Sequence, residues 1–282
     1  MSAGRSNRNV NVKEEGADKA AFPPGTGVVR SDLQPRLFLS TIDEQAPELA
    51  RRFALGLELA DFCYAPGLEE AAVRKRAAWR AKGISRCWLH APFAELFPCA
   101  VDPLIREVAV KRYRQTLALA RQLGITRLVI HGGYIPQVYF PQWYVGQSVA
   151  FWREFLEETP PDVTLALENV MEPSPDMLVQ IVRQVDDPRL RLCFDAGHAN
   201  TCVSRTPPIE WIGQMRPWLS HIHLHNNEGG ADLHAPLGKG SIPMEDLLDT
   251  LLEQCPQATF TLENRNCGAS LRWLADRGYL EE

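Results

Sequence analysis

The stretch "RLVIHGGYIPQVYFPQWYVGQSVAFWREFLEETPPDVTLALEN" (residues 127–169) decides the fold class. Its two ends, 127–133 and 163–169, are short aliphatic, β-rich runs that predict buried strands. Between them, residues 146–159 place apolar side chains three and four positions apart and run into prolines, which predicts a helix. The stretch therefore predicts one unit in which a strand, a helix and a second strand follow each other.

The same alternation continues along the chain in both directions, and residues 102–124 predict another amphipathic helix. Eight strands followed by helices in roughly 250 residues predict an α/β protein with a (β/α)8 TIM barrel. An open doubly wound sheet is disfavoured, since no GxGxxG motif follows the first strand. The candidate strands are 36–41, 55–60, 85–91, 127–133, 163–169, 191–197, 220–226 and 259–264.

Composition limits the classes of function. Residues 1–33 are polar and predict a disordered N-terminal tail, which leaves 34–282 as a single-domain barrel. The formal net charge of −5 argues against binding of duplex nucleic acid, so a nucleic-acid partner is not expected. No apolar run is long enough for a membrane helix, and we expect a cytoplasmic protein without a membrane partner. A homodimer is compatible with the sequence.

Polar side chains of metal-ligand type end six consecutive predicted strands. In such barrels the active site is built at the carboxyl ends of the strands, so these residues share one mouth. One histidine at a strand end is usually a hydrogen-bonded rim residue, but six such strands together favour a metal site. In strand order the residues are His90, His131, Glu168, Asp195 with His198 beyond it, the histidines of the seventh strand, and Glu263.

The seventh strand carries three histidines on one face. Side chains alternate along a strand, so His221, His223 and His225 point into the barrel together. They need not all bind metal. His221 lies deepest and suits a hydrogen-bonded core residue, whereas His225 lies near the rim and suits a contact with substrate.

Six motifs, "LHAPF", "VIHGG", "LALENV", "CFDAGHAN", "HLHNNEGGADLHAPLGKGSI" and "TLEN", lie within residues 35–280. Together they resemble the xylose-isomerase-like TIM-barrel superfamily (AP endonuclease family 2), which includes sugar phosphate isomerases, epimerases and endonuclease IV. The resemblance to the isomerases and epimerases implies one divalent ion, Mn, Mg, Co or Zn. Its implied ligands are Glu168, Asp195, His223 and Glu263.

The leading hypothesis is therefore a metal-dependent isomerase or epimerase acting on a small sugar or sugar phosphate. By the same resemblance, Glu168 and Glu263 would be the catalytic acid and base that move a proton through a metal-bound enediolate. His198 would bind the substrate. The expected partner is thus a carbohydrate or phosphorylated small molecule.

The resemblance to endonuclease IV implies up to three zinc ions and a phosphodiesterase, acting on a small phosphodiester or, as a weaker candidate, on abasic DNA. Two departures argue against the DNA role: "DAGHAN" differs on both sides of its histidine, and Leu233 replaces an expected arginine. A third hypothesis is a metal-binding barrel without catalysis. The extended ligand set implied by the resemblance to endonuclease IV has one group for each zinc ion. The groups are His90, His131 and Glu168; Glu168, Asp195, His223 and Glu263; and His198, Asp232 and His234.

Three further features are candidates for substrate contact. Lys239 lies in "PLGKGS" (236–241), a turn that could also bind an anion. Glu58 ends the second strand and is either a substrate contact or a rim residue in a salt bridge. The aromatic segment 134–144 is either a lid or pocket wall over a small ligand, or a packed surface loop.

Overall fold

Eight parallel strands pair in chain order, and β8 pairs with β1 to close a barrel. The computed structural model describes residues 32–280, so the predicted tail (1–33) lies almost wholly outside the described residues. The predicted TIM barrel is confirmed. The strands are β1 (Leu37–Ser40), β2 (Gly56–Leu59), β3 (Cys87–His90), β4 (Arg127–His131), β5 (Thr164–Glu168), β6 (Leu190–Asp195), β7 (Leu219–Leu224) and β8 (Thr259–Leu262).

An α-helix follows each strand within the described part of the chain. None of these helices is long and apolar enough to cross a membrane. Their apolar faces pack on the outside of the barrel and form the main hydrophobic core. The helices are α1 (Ala46–Arg52), α2 (Ala71–Ala81), α3 (Pro103–Leu123), α4 (Pro141–Glu158), α5 (Asp176–Val185), α6 (Pro208–Met215), α7 (Met244–Gln254) and α8 (Cys267–Ala275).

Helix ends follow local sequence signals. The carboxylate of Asp102 accepts a hydrogen bond from the backbone N–H of Leu104 and caps α3, and Gly124 ends α3 in the left-handed conformation at φ 69°. Helix α4 begins at Pro141, five residues before the predicted start, because proline at the first helical position fixes φ without losing a backbone bond. The aromatic segment 134–144 is thus half loop and half helix.

The barrel interior has two layers with different chemistry. A small apolar cluster fills the lower layer, and on four strands a candidate ligand stands two positions after one of its members. Trp88 precedes His90 in this way, and Ala166 precedes Glu168. Because side chains two apart share a face, the ligands lie one layer above an apolar floor. The cluster consists of Phe38, Trp88, Val129, Ala166 and Cys193.

Candidate metal centre

All seven histidines of the chain lie at the carboxyl end of the barrel, and each faces a carboxylate. In every case a ring nitrogen lies between 2.9 and 3.3 Å from a carboxylate oxygen. Isolated buried charges are costly, so this mutual pairing is what allows so many ionisable groups inside one barrel. The carboxylates are Glu58, Glu168, Asp195, Asp232 and Glu263.

Glu168 lies at the centre of the cluster and is fully buried. Its Oε2 is 3.0 Å from His131 Nε2 and 3.2 Å from His90 Nε2. Its Oε1 is 3.2 Å from His223 Nδ1 and 3.3 Å from His198 Nδ1. Each oxygen therefore serves a different pair of imidazoles, which is the arrangement of a carboxylate that bridges two metal positions.

Two ligand groups meet at this carboxylate. His90, His131 and Glu168 form one, and their ligand atoms lie within 4.8 Å of one another. The other group is fully buried and meets the same distance condition, with His223 Nδ1 3.1 Å from Glu263 Oε2. The structure thus brings the predicted ligands of both positions together. The second group is Glu168, Asp195, His223 and Glu263.

A third group lies nearer the solvent and centres on Asp232. Asp232 Oδ2 is 3.0 Å from His234 Nε2 and 3.4 Å from His198 Nε2. His234 has a φ of 48°, a left-handed conformation that a non-glycine residue adopts at a cost. The protein therefore holds His234 toward this group against its backbone preference.

His225 joins the third group, which the sequence did not indicate. It is fully buried rather than near the rim, and its Nε2 is 3.0 Å from Asp195 Oδ1. Its buried Nδ1 has no hydrogen-bond partner among the described residues and lies 3.7 Å from Asp232 Oδ1. A Cβ at Gly197 would lie 1.8 Å from the His225 ring, so the glycine of "DAG" makes room for this imidazole. An orphaned buried nitrogen facing a carboxylate fits a metal ligand.

Backbone carbonyls orient several of the rings. His90 Nδ1 donates to the carbonyl of Ala91 at 2.8 Å, and His234 Nδ1 donates to the carbonyl of Glu263 at 2.8 Å. These bonds leave Nε2 of both rings as the atom that faces the cluster. Outer hydrogen bonds of this kind fix the tautomer and direction of metal-binding histidines. The mixed imidazole and carboxylate donors suit zinc or a similar divalent ion.

The charges of the cluster are mutually dependent. Burial alone would raise the pKa of Glu168, but the facing His131 and His223 hold that pKa well below its usual range. Burial would lower the pKa of His198, but Asp195, Asp232 and Glu168 raise it well above its usual value. The pKa of His234 is raised to about 9, because its carboxylate neighbours outweigh its burial. Protons on histidines with raised pKa values, such as His198 and His234, therefore balance part of the carboxylate charge, and divalent ions can take the place of those protons.

Glu58 is not a rim residue, and that expectation was wrong. It is fully buried, and its oxygens lie 2.9 Å from His221 Nε2 and 3.0 Å from His223 Nε2. His221 lies deepest of the three histidines, as expected, and stacks on Trp88 at 4.1 Å. Burial lowers the pKa of His221 to about 4. His221 is therefore a neutral core residue, and Glu58 connects it to His223.

Two other predicted features have clear positions. Lys239 is exposed on a turn, and among residues 32–280 no described contact joins its side chain to the metal-ligand groups. In the aromatic segment, Tyr144 is fully buried and packs on Tyr134, whereas Phe140 is 81% exposed. A Cβ at Gly132 would lie 2.1 Å from the Tyr144 hydroxyl, so glycine is needed there. One side of the segment is packed and the other is open.

Fold and site together define a TIM barrel with several candidate metal-ligand groups at its mouth. Residues 53–278 match the model of the xylose isomerase-like TIM barrel family, and the chain belongs to that family.

Two relatives that are similar to this chain in sequence have different descriptions. An uncharacterized protein of Methanocaldococcus jannaschii is 28% identical over 187 residues, which are 63% of this chain and 64% of that protein. The chain thus aligns with less than two thirds of this relative's length. A probable endonuclease 4 of Mycobacterium ulcerans is 24% identical over 193 residues, covering 64% of this chain and 71% of the relative.

Solved structures share the whole barrel. The TTHB071 protein of Thermus thermophilus, soaked with ZnCl2, is 29% identical, with a TM-score of 0.68 over 85% of this chain and 96% of that one. A D-tagatose 3-epimerase-like protein has a TM-score of 0.69 over 84% of this chain and 93% of that one, at 23% identity. These similarities show that the barrel fold is shared.

Proposed function

We propose that this protein is a metal-dependent hydrolase of a phosphodiester. The observation that carries the proposal is that the two oxygens of Glu168 face separate pairs of histidines, so that this carboxylate could bridge two bound ions. A single-ion isomerase needs one ligand group, whereas a bridging carboxylate is what a centre with several ions needs.

The remaining ligand candidates support this proposal over the isomerase hypothesis. For an isomerase, His90, His131 and Asp232 would have to be substrate contacts, with polar atoms directed at open space. Instead, His90 and His131 converge on the same Glu168 oxygen, and one oxygen of Asp232 contacts both His234 and His198. Their polar atoms are turned toward one another, as in metal coordination.

The reaction is the attack of water on phosphorus. A bond forms between the water oxygen and phosphorus, the bond between phosphorus and the leaving alcohol breaks, and the alcohol oxygen takes a proton. Divalent ions bound at such a centre lower the pKa of a water and neutralise charge on the phosphate. The chain's carboxylates and imidazoles hold these charges in a buried pocket where their interactions are strong.

The substrate we propose is smaller than a DNA duplex. The net charge of −5 disfavours a long polyanion, and Leu233 stands where the resemblance to endonuclease IV predicts an arginine. A second candidate function is the metal-dependent isomerase or epimerase. Glu168 and Glu263 favour it, because both face the candidate ion position of His223 and form an acid and base pair.

The test is turnover of bis(4-nitrophenyl) phosphate by the zinc-loaded protein. We expect hydrolysis, and we expect Asp232→Asn to reduce kcat at least about 100-fold, a typical loss when transition-state charge stabilisation is removed. Glu228→Gln is the matched control, because Glu228 is an exposed acid of the same loop. No turnover at full metal loading, with solvent deuterium entering a sugar substrate, would establish the isomerase instead.

A further inference from the structure

A cleft of about 470 Å³ lies between the loops that follow β4, β5 and β6. This volume lies in the range of pockets that hold small organic ligands. Its walls are mainly apolar and contain one guanidinium. The lining includes Tyr134, Met171, Pro173, Cys202, Val203 and Arg205.

Two residues of the cleft lining lie close in sequence to candidate metal ligands. Tyr134 comes three residues after His131, and Met171 comes three residues after Glu168. Three residues of extended chain span at most about 11 Å. A molecule of moderate size can therefore place a phosphate at the metal-ligand groups and another part of itself in the cleft.

The walls of the cleft are fixed by packing. Tyr134 rests on the buried ring of Tyr144, at 4.9 Å between ring centroids. The backbone N–H of Arg205 donates to the carbonyl of Pro173 at 2.8 Å and ties two of the loops together. Met171 is 45% exposed, which leaves its thioether free to contact a ligand. A preformed pocket loses little entropy when it binds a rigid group.

Exposed apolar side chains are concentrated at this end of the barrel. Most of the large exposed hydrophobic residues lie in loops that follow strands, including Val138 at 62% and Phe140 at 81% exposure. An exposed apolar surface of this kind, rimmed by polar groups, marks a binding site. The guanidinium of Arg205 favours an aromatic ring over an aliphatic group, because guanidinium planes stack on aromatic faces.

We propose that the cleft binds an aromatic ring system carried by the substrate. Resting on the proposed hydrolase function, this defines the substrate class as a phosphodiester in which one alcohol bears an aromatic or heteroaromatic group. The phosphate lies at the metal-ligand groups, and the ring lies between Tyr134, Met171 and Arg205.

The experiment compares two phosphodiesters that share a 4-nitrophenyl leaving group, one with a methyl and one with a 2-naphthylmethyl second ester. With zinc-loaded protein we expect kcat/KM to be at least about tenfold higher for the naphthylmethyl ester, the order of magnitude for burying one ring. Met171→Ala should lower this preference, because it removes an apolar contact with the ring without adding a charge near the metal-ligand groups. Val108→Ala, at an equally exposed apolar position on α3, should change neither rate constant.

A binding experiment tests the cleft proposal separately from the hydrolase proposal. Calorimetry with 2-naphthylmethylphosphonate and methylphosphonate, which cannot be hydrolysed, should show the same preference and the same loss of preference in Met171→Ala. Equal kcat/KM for the two esters, or equal affinity for the two phosphonates, overturns the cleft proposal. Absence of any hydrolysis with a retained binding preference overturns the hydrolase and leaves the cleft in place.

Discussion

Replacing Glu168 by glutamine should remove more than one metal ion. Among the described residues, Glu168 belongs to two of the four candidate ligand groups, and the group of His198, His225, Asp232 and His234 does not include it. The fourth group, Glu58, His90, His223 and Glu263, shares every member except Glu58 with the two Glu168 groups, so it is not a separate ion position. An amide cannot bridge two cations as a carboxylate does. We therefore expect zinc content to fall from about three ions per chain to about one. Loss of an outer hydrogen bond alone costs about 10- to 100-fold in metal affinity, and loss of a ligand costs more.

The assay is elemental mass spectrometry after dialysis against a zinc buffer of fixed free concentration. Asp232→Asn is the matched comparison, because it touches only the third group and should retain about two ions. Thermal unfolding of both variants checks that the barrel is intact. Saturation of the unaltered protein by a single ion, or retention of two or more ions after Glu168→Gln, would refute the bridging role.

Three other outcomes are expected. Glu58→Gln should weaken zinc binding about 10- to 100-fold in a chelator competition, because Glu58 orients His223; unchanged affinity would contradict this. Zinc loading at pH 7 should release protons to an indicator dye, since the pKa of His234 is about 9 in the metal-free protein. For the same reason the zinc affinity should rise with pH and level off above about 9, and a pH-independent zinc affinity would count against this reasoning. Burial raises the pKa of Glu172, so the stability of the folded state falls as pH rises through that pKa. Glu172→Gln should therefore unfold at a higher temperature than the parent at pH 7, with no difference below about pH 4.

The sequence predicts the barrel and most of the candidate site because both depend on local patterns. Strand alternation places His221, His223 and His225 on one face, and the strand-end rule collects the ligands at one mouth. The depth of a side chain inside the barrel does not follow from these local patterns, because it depends on how neighbouring strands are staggered. Glu58 lies within β2, one residue before its end, and pairs in register with Trp88, two residues before His90, so it is a buried partner rather than a rim residue.

The burial of His225 has a similar origin. Its position on the inward face follows from alternation, but the loop that carries Asp232 folds back over it, with Asn226 pairing to Ala235. That contact brings Asp232 Oδ1 to 3.7 Å from His225 Nδ1. A local pattern does not encode where a loop returns. The spacing of 223 and 225 was the signal that a second imidazole of this strand was available.

Charge balance explains why the number of ions bears on the chemistry. Five carboxylates lie in the cluster, and with one divalent ion bound, protons on histidines outside its ligand group, such as His198 and His234, supply part of the balancing charge. Three divalent ions carry six positive charges against those five carboxylates. The remaining positive charge matches the single negative charge of a phosphodiester. The residues that distinguish the two functions are therefore those outside the single-ion set, His90, His131, His225, Asp232 and His234, because they determine whether the second and third ions can bind.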